Sequence, residues 1–371
     1  MKIAVFYGGK SCEHNVSVVT GVGVCSSLAL DGEEIYPIYI DFDGRWWFVK
    51  NYSNLSSYGD IKKLKVKPAH LVAGQKYLMV GRKKVQIDCA VLCLHGAYGE
   101  DGCIQGALSL SFIPYTGSGV LGSALGLDKA YCKLAFAQNG LPVVDYFTVG
   151  KNEWKSERKA VEISAQNLGY PLVVKPRNLG SSIGVSVANN HEELGSALDL
   201  AFNWDSGAVV EKRVENLTEY NCAVIFDGKN YEPSEIEKPL ALDEILSFAD
   251  KYERGGFKGV GGRQFPALID EELKLKIQNY AIAACKSVMA EGIVRVDFLF
   301  NGQDLFVNEI NTIPGSLALY LFPRYHYGEL TGESAVLRKI IDQAIKREES
   351  RNLLRYHHYG SVNGGEKILP R

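Results

Sequence analysis

Residues 172–184 read LVVKPRNLGSSIG, an apolar run that ends in a lysine and leads into a loop rich in glycine and serine. The run predicts a short buried strand, and Lys175 at its end would carry a cation into the adjoining site. The loop from Gly180 to Gly184 offers N–H and O–H donors, which form charge-assisted hydrogen bonds with phosphate groups. Binding of a nucleotide's phosphates is one interpretation of this stretch, and an exposed hairpin with a surface lysine is the other.

Two further strands are predicted at residues 294–298 (VRVDF) and 306–311 (FVNEIN), with an Asn-Gly turn signal between them. A connection of this length forms a hairpin, and it places Asp297 nearly opposite Asn308 or Glu309. The hairpin therefore brings acidic side chains from both of its strands together.

One face of this hairpin collects polar side chains, because residues two apart in a strand point the same way. Arg295 shares a face with Asp297 on the first strand, and Glu309 shares one with Asn311 on the second. Two carboxylates and an amide supply the hard oxygen ligands that Mg²⁺ bound to a nucleotide requires. The pattern predicts a Mg²⁺ site, and the alternative is an ion-paired face centred on Arg295.

The order of apolar runs and turns divides the chain into two parts. Runs at residues 3–7, 90–94 and 112–115 each end in polar, glycine-rich loops, as the buried strands of an open α/β sheet do. From about residue 129, helices and strands follow the pattern of antiparallel α+β units. The predicted fold is an α/β N-terminal open-sheet domain followed by an α+β fold of two subdomains.

Composition and charge exclude several classes of protein. The formal net charge of −2 provides no long-range attraction to nucleic acid or to anionic lipid. Residues 3–7 are too short a run for a signal peptide, and no run approaches the ~18 apolar residues of a membrane span. The eight cysteines contain no C-x-x-C pair, which is typical of thiols in a reducing compartment rather than of a zinc site. We expect a cytoplasmic protein that binds neither nucleic acid nor membrane.

Two glycine motifs imitate phosphate-binding loops. Gly9-Lys10-Ser11 ends like a Walker A loop, but the earlier glycine of that motif would fall at Ala4. Residues 117–122 (GSGVLG) match G-x-G-x-x-G, yet they follow a later strand than the first, and no acidic residue clearly lies ~20 residues further on. A tight turn from a strand into a helix explains these glycines better than dinucleotide binding does.

Motifs from several parts of the chain together resemble the ATP-grasp superfamily and, within it, the D-alanine–D-alanine ligase family. They occur in the family's order over most of residues 1–325: YGGKSCEHNVS at 7–17, HGAYGEDG at 95–102, the segment 114–129, the loop 175–184, Glu211-Lys212, Asp250-Lys251-Tyr252 and the segment 295–315. The resemblance implies ATP-dependent ligation of two D-alanine molecules through an acyl-phosphate, for peptidoglycan precursor synthesis. It also implies a cytoplasmic homodimer that uses ATP and two Mg²⁺ ions, with Mn²⁺ as an alternative metal.

The same resemblance implies where the domains divide. An N-terminal α/β (pre-ATP-grasp) domain would span residues 1–128, followed by a central ATP-grasp subdomain at 129–218. A C-terminal ATP-grasp subdomain with the Mg²⁺ and substrate site would span 219–348, and a polar tail would follow at 349–371.

The resemblance further implies the roles of individual residues. Glu13 would hold the ammonium group of the first D-alanine, and Arg295 with the N–H of Gly315 would stabilise the oxyanion. Ser181 and Tyr252 would complete a hydrogen-bonded clasp with Glu13. The substrate residues would be Glu13, His95, Arg295, Gly315, Ser316 and Tyr320. The ATP-binding residues would be Lys129, Lys175, Ser181, Ser182, Glu211, Lys212, Val214, Glu219, Lys251 and Asn308. The metal ligands would be Asp297, Glu309 and Asn311.

The chain departs from the family in two segments. The approach to Lys251 lacks the usual aromatic residues, and Tyr320 stands where family members carry a serine whose hydroxyl receives the second substrate's carboxylate. Either Tyr320 points into the site, or the loop is re-routed so that Ser316 supplies the hydroxyl and Tyr320 packs outward. D-Serine, D-lactate or another acceptor is therefore an alternative second substrate, and a non-catalytic ATP-binding regulator is an alternative of another class. We expect the product to be D-alanyl-D-alanine.

Overall fold

The computed structural model describes residues 1–240 and 262–352, and its first sheet is built on the apolar run at the N-terminus. The strands of this sheet are β1 (Lys2–Gly8), β2 (Glu34–Ile40), β3 (Trp46–Val49), β4 (Val66–Leu71), β5 (Tyr77–Val80), β6 (Lys83–Gln86) and β7 (Cys89–Leu92). Their order is β6-β5-β4-β3-β2-β1-β7, with β1 parallel to β2 and β7 and the other neighbours antiparallel. The predicted open α/β sheet is confirmed, and β3 to β6 extend it as an antiparallel meander.

The helices of this N-terminal part are α1 (His14–Leu30), α2 (Cys103–Leu110) and α3 (Val120–Leu127), with short 3₁₀ turns at Leu55–Gly59 and Ile61–Lys63. The strand predicted at residues 112–115 does not form, so that prediction is wrong. Phe112 has a left-handed backbone with φ of 52°, and Pro114 has no N–H to donate to a ladder. Only a single parallel bridge remains, from Tyr115 to Ala90.

The second sheet has four strands in antiparallel pairs, as predicted for the α+β part. Its strands are β8 (Tyr146–Gly150), β9 (Leu172–Pro176), β10 (Ser186–Ala188) and β11 (Gly207–Lys212), in the order β10-β9-β11-β8. Helices α5 (Lys151–Ser156), α6 (Arg158–Leu168) and α7 (His191–Phe202) belong to this part, and α4 (Lys129–Gln138) precedes it along the chain. Leu172 and Val174 of β9 lie in the apolar core shared with α6 and α7, so strand alternation turns Lys175 to the opposite face.

The third sheet is antiparallel throughout and carries the predicted metal hairpin. Its strands are β12 (Thr218–Phe226), β13 (Tyr231–Pro239), β14 (Arg263–Gln264), β15 (Gly292–Phe300) and β16 (Leu305–Asn311), in the order β14-β13-β12-β15-β16. The register aligns Glu237, Asn221, Asp297 and Glu309, one from each of four adjacent strands. Directly opposed residues share a face of the sheet, and these four residues are called the cross-sheet row below.

Two long helices complete the C-terminal part: α8 (Glu271–Ser287) and α9 (Gly332–Asn352). A 3₁₀ segment, Gly315–Leu321, and the small strands β17 (His326–Tyr327) and β18 (Leu330–Thr331) precede α9. Helix α8 shares a core with α4 and the third sheet, whereas α9 packs against the core of the first sheet. Because α9 continues through residue 352, residues 349–352 of the predicted tail are helical, and 353–371 lie outside the described residues. In the two described ranges, no helix is long and apolar enough to cross a membrane.

Candidate active site

A cavity of ≈ 560 Å³ lies between the second and third sheets. Its walls include β9 and β11 on one side and β15 and β16 on the other, together with residues 213–217. The predicted ATP and metal residues that line it are Lys129, Lys175, Ser182, Glu211, Lys212, Val214, Glu219, Asp297, Asn308 and Glu309. Residues far apart in sequence therefore meet at one cavity, whereas Lys251 and Tyr252 lie outside the described residues.

Glu211 lies between two lysines in the cavity wall. Lys175 Nζ donates to Glu211 Oε2 at 2.9 Å and to Asn308 Oδ1 at 3.1 Å. Lys133 Nζ lies 3.2 Å from Glu211 Oε1, and these two side chains are only 1% and 2% exposed. Sequence reasoning missed Lys133, although its position one helical turn after Lys129 in α4 was the available signal. The Glu211 carboxylate therefore pairs with the two lysines, although the residue lines the cavity as predicted.

Burial and neighbouring charges shift the pKa values of Lys175 and Glu211 in opposite directions. Burial alone would lower the pKa of Lys175, but the carboxylates of Glu211 and Glu309 raise it above its ordinary value. Burial alone would raise the pKa of Glu211, but Lys133 and Lys175 lower it. Lys175 consequently keeps its positive charge in the cavity wall, which is what a phosphate ligand needs.

Two more of the predicted ATP lysines are held by backbone carbonyls. Lys129, the first residue of α4, donates to Leu179 O at 2.5 Å and lies 3.6 Å from Glu309 Oε2. Lys212 donates to Gly169 O at 2.7 Å. Hydrogen bonds to backbone carbonyls thus hold both ammonium groups at the cavity.

The predicted metal ligands meet on one face of the third sheet. Asp297 lies opposite Glu309, as the hairpin predicted. Arg295 donates to both oxygens of Asp297, from Nε at 2.6 Å and from Nη2 at 2.8 Å, and Asn311 Nδ2 donates to Asp297 Oδ2 at 3.1 Å. Arg295 is ion-paired with Asp297, as the second interpretation of this face expected, and the two carboxylates adjoin, while the Mg²⁺ site stays a prediction.

The oxygen atoms that could ligate a metal on this face belong to two carboxylates and an amide, which fit a hard cation such as Mg²⁺. Within residues 1–240 and 262–352, no group of three or more His, Cys, Asp or Glu side chains converges as a metal site would. A cation here would therefore need ligands beyond the two carboxylates, as Mg²⁺ does when it bridges a protein and a nucleotide's phosphates.

Glu13 of the N-terminal part directly precedes α1 and lines a second, smaller cavity, which shares Lys129, Asn308 and Glu309 with the first. Ser181 Oγ donates a short hydrogen bond to Glu13 Oε1, so two members of the predicted clasp are in contact. Gly96, with φ of +72°, packs against the same carboxylate, since a Cβ there would lie 2.7 Å from Glu13 Oε2. A side chain at Gly96 would displace Glu13 from the loop that contains Ser181.

His95 anchors the loop that follows β16. Its Nδ1 lies 2.8 Å from Ile313 O, and its Nε2 lies 2.9 Å from Thr20 Oγ1. A carbonyl can only accept, so Nδ1 carries the proton and Nε2 accepts from the Thr20 hydroxyl. Thr20 Oγ1 in turn accepts from the backbone N–H of Ser316 at 3.2 Å. Burial lowers the pKa of His95, against the opposing effect of Glu13, which favours the neutral ring.

Glu100 supports the same loop and was not singled out by sequence reasoning. Its two oxygens accept hydrogen bonds from Gly96 N and Ile313 N, each at 2.9 Å. Burial, with the nearby Glu13 carboxylate, raises the pKa of Glu100 to about 8. Its position in the HGAYGEDG motif was the one available signal in the sequence.

Tyr320 turns toward the third sheet and does not pack outward, so the second arrangement expected for its loop is wrong. Its hydroxyl donates to Glu237 Oε2 at 2.9 Å, and the Arg263 guanidinium lies 4.2 Å from the centre of its ring. Ser316 is exposed, with its N–H on Thr20. The reason is the backbone of residues 316–318, whose φ angles of 48° to 51° are left-handed and bend the segment before Tyr320.

Family models match both parts of the chain. The model described as "D-ala D-ala ligase N-terminus" matches residues 2–118, and the one described as "D-ala D-ala ligase C-terminus" matches residues 135–342. The D-alanine–D-alanine ligase of Thermosipho melanesiensis is 35% identical over 360 residues, which covers 95% of this chain and 96% of the relative.

Solved structures of similar proteins share the fold over nearly the whole chain. The D-alanine–D-alanine ligase from Coxiella burnetii has a TM-score of 0.80 at 26% identity, covering 95% of this chain and 96% of its own. The VanG D-Ala:D-Ser ligase from Enterococcus faecalis has a TM-score of 0.77 at 28% identity, covering 92% of this chain and 99% of its own.

Proposed function

The chain belongs to the D-alanine–D-alanine ligase family, and from this premise we propose how its own residues carry out the ATP-dependent ligation of two D-alanine molecules. The fold is that of the ATP-grasp ligases, and the product, D-alanyl-D-alanine, is a peptidoglycan precursor. The substrates are small molecules, and the curated relatives favour D-alanine over D-serine or D-lactate as the acceptor.

One observation supports the proposal above the others: lysines and carboxylates from separate subdomains line the same cavity. A carboxylate does not react with an amine at neutral pH, so ATP must first convert it to an acyl-phosphate. Lys129 and Lys175 would bind the phosphates and neutralise the charge that spreads over them during transfer. Glu219, Lys212 and the backbone near Val214 would hold the nucleoside.

Asp297, Glu309 and Asn311 would hold two Mg²⁺ ions, with Mn²⁺ as an alternative. These ions would neutralise phosphate charge and hold the transferring group in line. This assignment is supported by the facing carboxylates of Asp297 and Glu309 and by the hard oxygen donors of the set.

Glu13 would bind the ammonium of the first D-alanine, and His95 would hold the Ile313–Ser316 loop so that the N–H of Gly315 and Arg295 meet the oxyanion. The Ser181 and Ser182 loop, together with Lys251 and Tyr252 beyond the described residues, would close over the acyl-phosphate and exclude water. The amine of the second D-alanine would then displace phosphate, so no side chain acts as a covalent nucleophile.

The three sheets support a division at residues 1–128, 129–218 and 219–348, although α4 packs with the third sheet. We further propose that the enzyme acts as a homodimer in the cytoplasm. All eight cysteines lie in the described ranges as free thiols, and six are buried, which agrees with a reducing compartment.

The test is a paired measurement of phosphate release and product mass with ATP, Mg²⁺ and D-alanine. We expect phosphate release to depend on D-alanine and to match the dipeptide formed. A protein that binds ATP but releases no phosphate with D-alanine would be the non-catalytic regulator instead. Retention of both Arg295 and Glu13, which a regulator would not need, favours the enzyme.

Glu309→Gln tests the metal site within this assay. The amide is a weaker ligand for a hard cation, so turnover should fall by roughly 10³-fold while the fold stays intact, as circular dichroism would show. The matched control is Glu235→Gln, whose carboxylate pairs with Lys274 at 2.9 Å and should leave turnover unaffected. Near-normal activity of Glu309→Gln at ordinary Mg²⁺ would show that the site is misassigned.

A further inference from the structure

The cross-sheet row continues past the metal face toward the edge of the third sheet. From Glu309 and Asp297 it runs through Asn221 to Glu237 on β13, and Asn221 Nδ2 donates to Glu237 Oε2 at 3.2 Å. Neighbouring strands are ~4.8 Å apart, so Glu237 lies on the order of 10 Å from Asp297 on the same face. The Glu237 carboxylate is only 4% exposed, and the proposed mechanism gives it no role.

Glu237 holds two further groups in place. It accepts the Tyr320 hydroxyl, and Arg263 Nη1 lies 3.6 Å from its other oxygen. The Arg263 guanidinium also lies over the ring of Tyr320. Glu237, Tyr320 and Arg263 therefore form one group at the end of the row, termed the edge cluster.

Tyr320 and Arg263 of the edge cluster differ in whether they can donate a hydrogen bond to a substrate. The proton of the Tyr320 hydroxyl is engaged by Glu237, so this oxygen has no donor left for a substrate carboxylate. Arg263 has five N–H donors and a side chain that is 55% exposed, and within residues 1–240 and 262–352 its one ion pair is the 3.6 Å contact with Glu237. Arg295, by contrast, already donates twice to Asp297.

The edge cluster lies where the acceptor amino acid is expected to extend from the reacting carbon. The acceptor's amine must meet the acyl carbon next to Arg295, and its carboxylate lies two bonds beyond that amine. Burial raises the pKa of the Tyr320 hydroxyl, and Arg295 and Arg263 both act to lower it, so this side chain lies near both arginines. An acceptor whose amine meets the acyl carbon beside Arg295 therefore extends past the Tyr320 ring toward Arg263, which lies over that ring.

We propose that Arg263, held by Glu237 and by the ring of Tyr320, binds the carboxylate of the second amino acid. This inference rests on the proposed function and names the group that recognises the acceptor. Arg263 is the substrate-binding residue of the edge cluster, while Glu237 and Tyr320 are positioning residues. A planar guanidinium takes a carboxylate through two parallel hydrogen bonds, which a neutral carboxamide cannot reproduce.

The test is competition between D-alanine and D-alaninamide as acceptors, with D-alanine as the donor. The ratio of D-alanyl-D-alanine to D-alanyl-D-alaninamide is read by mass at a fixed acceptor mixture. Arg263→Gln should lower this ratio by roughly 10- to 100-fold, because the lost interaction exists only with the carboxylate. It should also raise the KM of the second D-alanine while leaving that of the first unchanged.

Three further variants sharpen the result. Arg82→Gln removes an exposed arginine from the turn between β5 and β6 and should leave the ratio unchanged. Arg263→Lys keeps the charge and should recover part of the ratio, and it decides the matter if Arg263→Gln yields no product. Tyr320→Phe keeps the ring beneath Arg263 and should change the ratio less than Arg263→Gln does.

Dipeptide formation with an unchanged ratio in both Arg263 variants would overturn the inference and leave the proposed function intact. Absence of any dipeptide from the wild-type enzyme at saturating D-alanine would instead overturn the proposed function.

Discussion

At the scale of the residue, the chemistry of this enzyme depends on charges that are buried together. Lys133, Glu211 and Lys175 carry two positive charges and one negative charge into a wall that is almost closed to water. An isolated buried charge is costly, so each member of the group depends on the others. Of the two lysines, Lys175 lines the cavity, where phosphates would compensate its charge.

Lys175→Ala should raise the KM for ATP by about tenfold or more, or abolish turnover, because a charge-assisted contact to phosphate is lost. The measurement is steady-state phosphate release at varied ATP. Lys151→Ala is the control, since its ammonium donates to a backbone carbonyl outside the cavity, Phe202 O, at 2.9 Å. ATP kinetics that stay unchanged in Lys175→Ala would return the loop at 180–184 to the exposed-hairpin interpretation.

Glu100 gives the stability of the free enzyme a specific dependence on pH. Its pKa is raised from the ordinary 4.5 to about 8 in the folded protein. Between the two pKa values the folded state holds a proton that the unfolded state has released. The protonated Glu100 therefore contributes its full stabilisation below the unfolded-state pKa, and this stabilisation is lost as the pH rises through the folded-state pKa. The slope is at most ~1.4 kcal/mol per pH unit.

The corresponding experiment compares the wild type with Glu100→Gln in denaturant unfolding at about pH 5 and about pH 8. The free energy of unfolding of the wild type minus that of Glu100→Gln should be smaller at the higher pH than at the lower pH. A difference that stays constant across this range would contradict the raised pKa.

At the scale of the element, helix α3 shows why a glycine motif need not bind a nucleotide. A Cβ at Gly122 would lie 2.5 Å from Met289 O, so this glycine permits close packing of α3 against the turn after α8. The G-x-G-x-x-G match at 117–122 therefore has a packing explanation, in agreement with the tight turn predicted from the sequence.

Gly122→Ala should destabilise the protein by about 1–3 kcal/mol, because the backbone it meets cannot move aside cheaply. Gly106→Ala in α2 is the matched control, since a Cβ there meets nothing within 4 Å. That control should be neutral or stabilise by up to ~1 kcal/mol, the usual gain for alanine over glycine in a helix. Denaturant unfolding of the two variants measures both, and equal effects would contradict the packing argument.

At the scale of the whole molecule, α9 connects the N-terminal part to the third sheet. Arg347 donates to Tyr115 O at 2.6 Å and to Gly117 O at 2.7 Å, and it pairs with Glu291 at 2.6 Å. One side chain of the last described helix thus holds the turn after α2 and the start of β15 together.

Arg347→Met should lower the free energy of unfolding by about 2–3 kcal/mol, because two carbonyls and a carboxylate lose their donor. Arg351→Met is the control, because that side chain is 52% exposed and lies 3.7 Å from Glu348, a pair of little energetic value. A loss in Arg347→Met no larger than in Arg351→Met would show that α9 is held by its apolar face alone.

The sequence by itself determined the strands at 3–7, 294–298 and 306–311, the antiparallel second sheet, and a position for Asp297 opposite Asn308 or Glu309. These follow from local periodicity and from a short turn, in which partners are close along the chain and alternation assigns each side chain to a face. The family resemblance, and not the local pattern, named the ATP and metal residues. Those that the structure describes come from separate strands and helices, and most of them line one cavity.

Only the tertiary structure decided which partners the buried charges take. Lys133 with Glu211, Glu100 with Ile313, and Tyr320 with Glu237 are separated by tens to hundreds of residues, so no local pattern pairs them. The loss of the strand at 112–115 and the inward turn of Tyr320 likewise depend on backbone φ values that neighbouring residue types do not specify. Burial removes water as a hydrogen-bond partner, and the groups brought together by the fold must then satisfy one another.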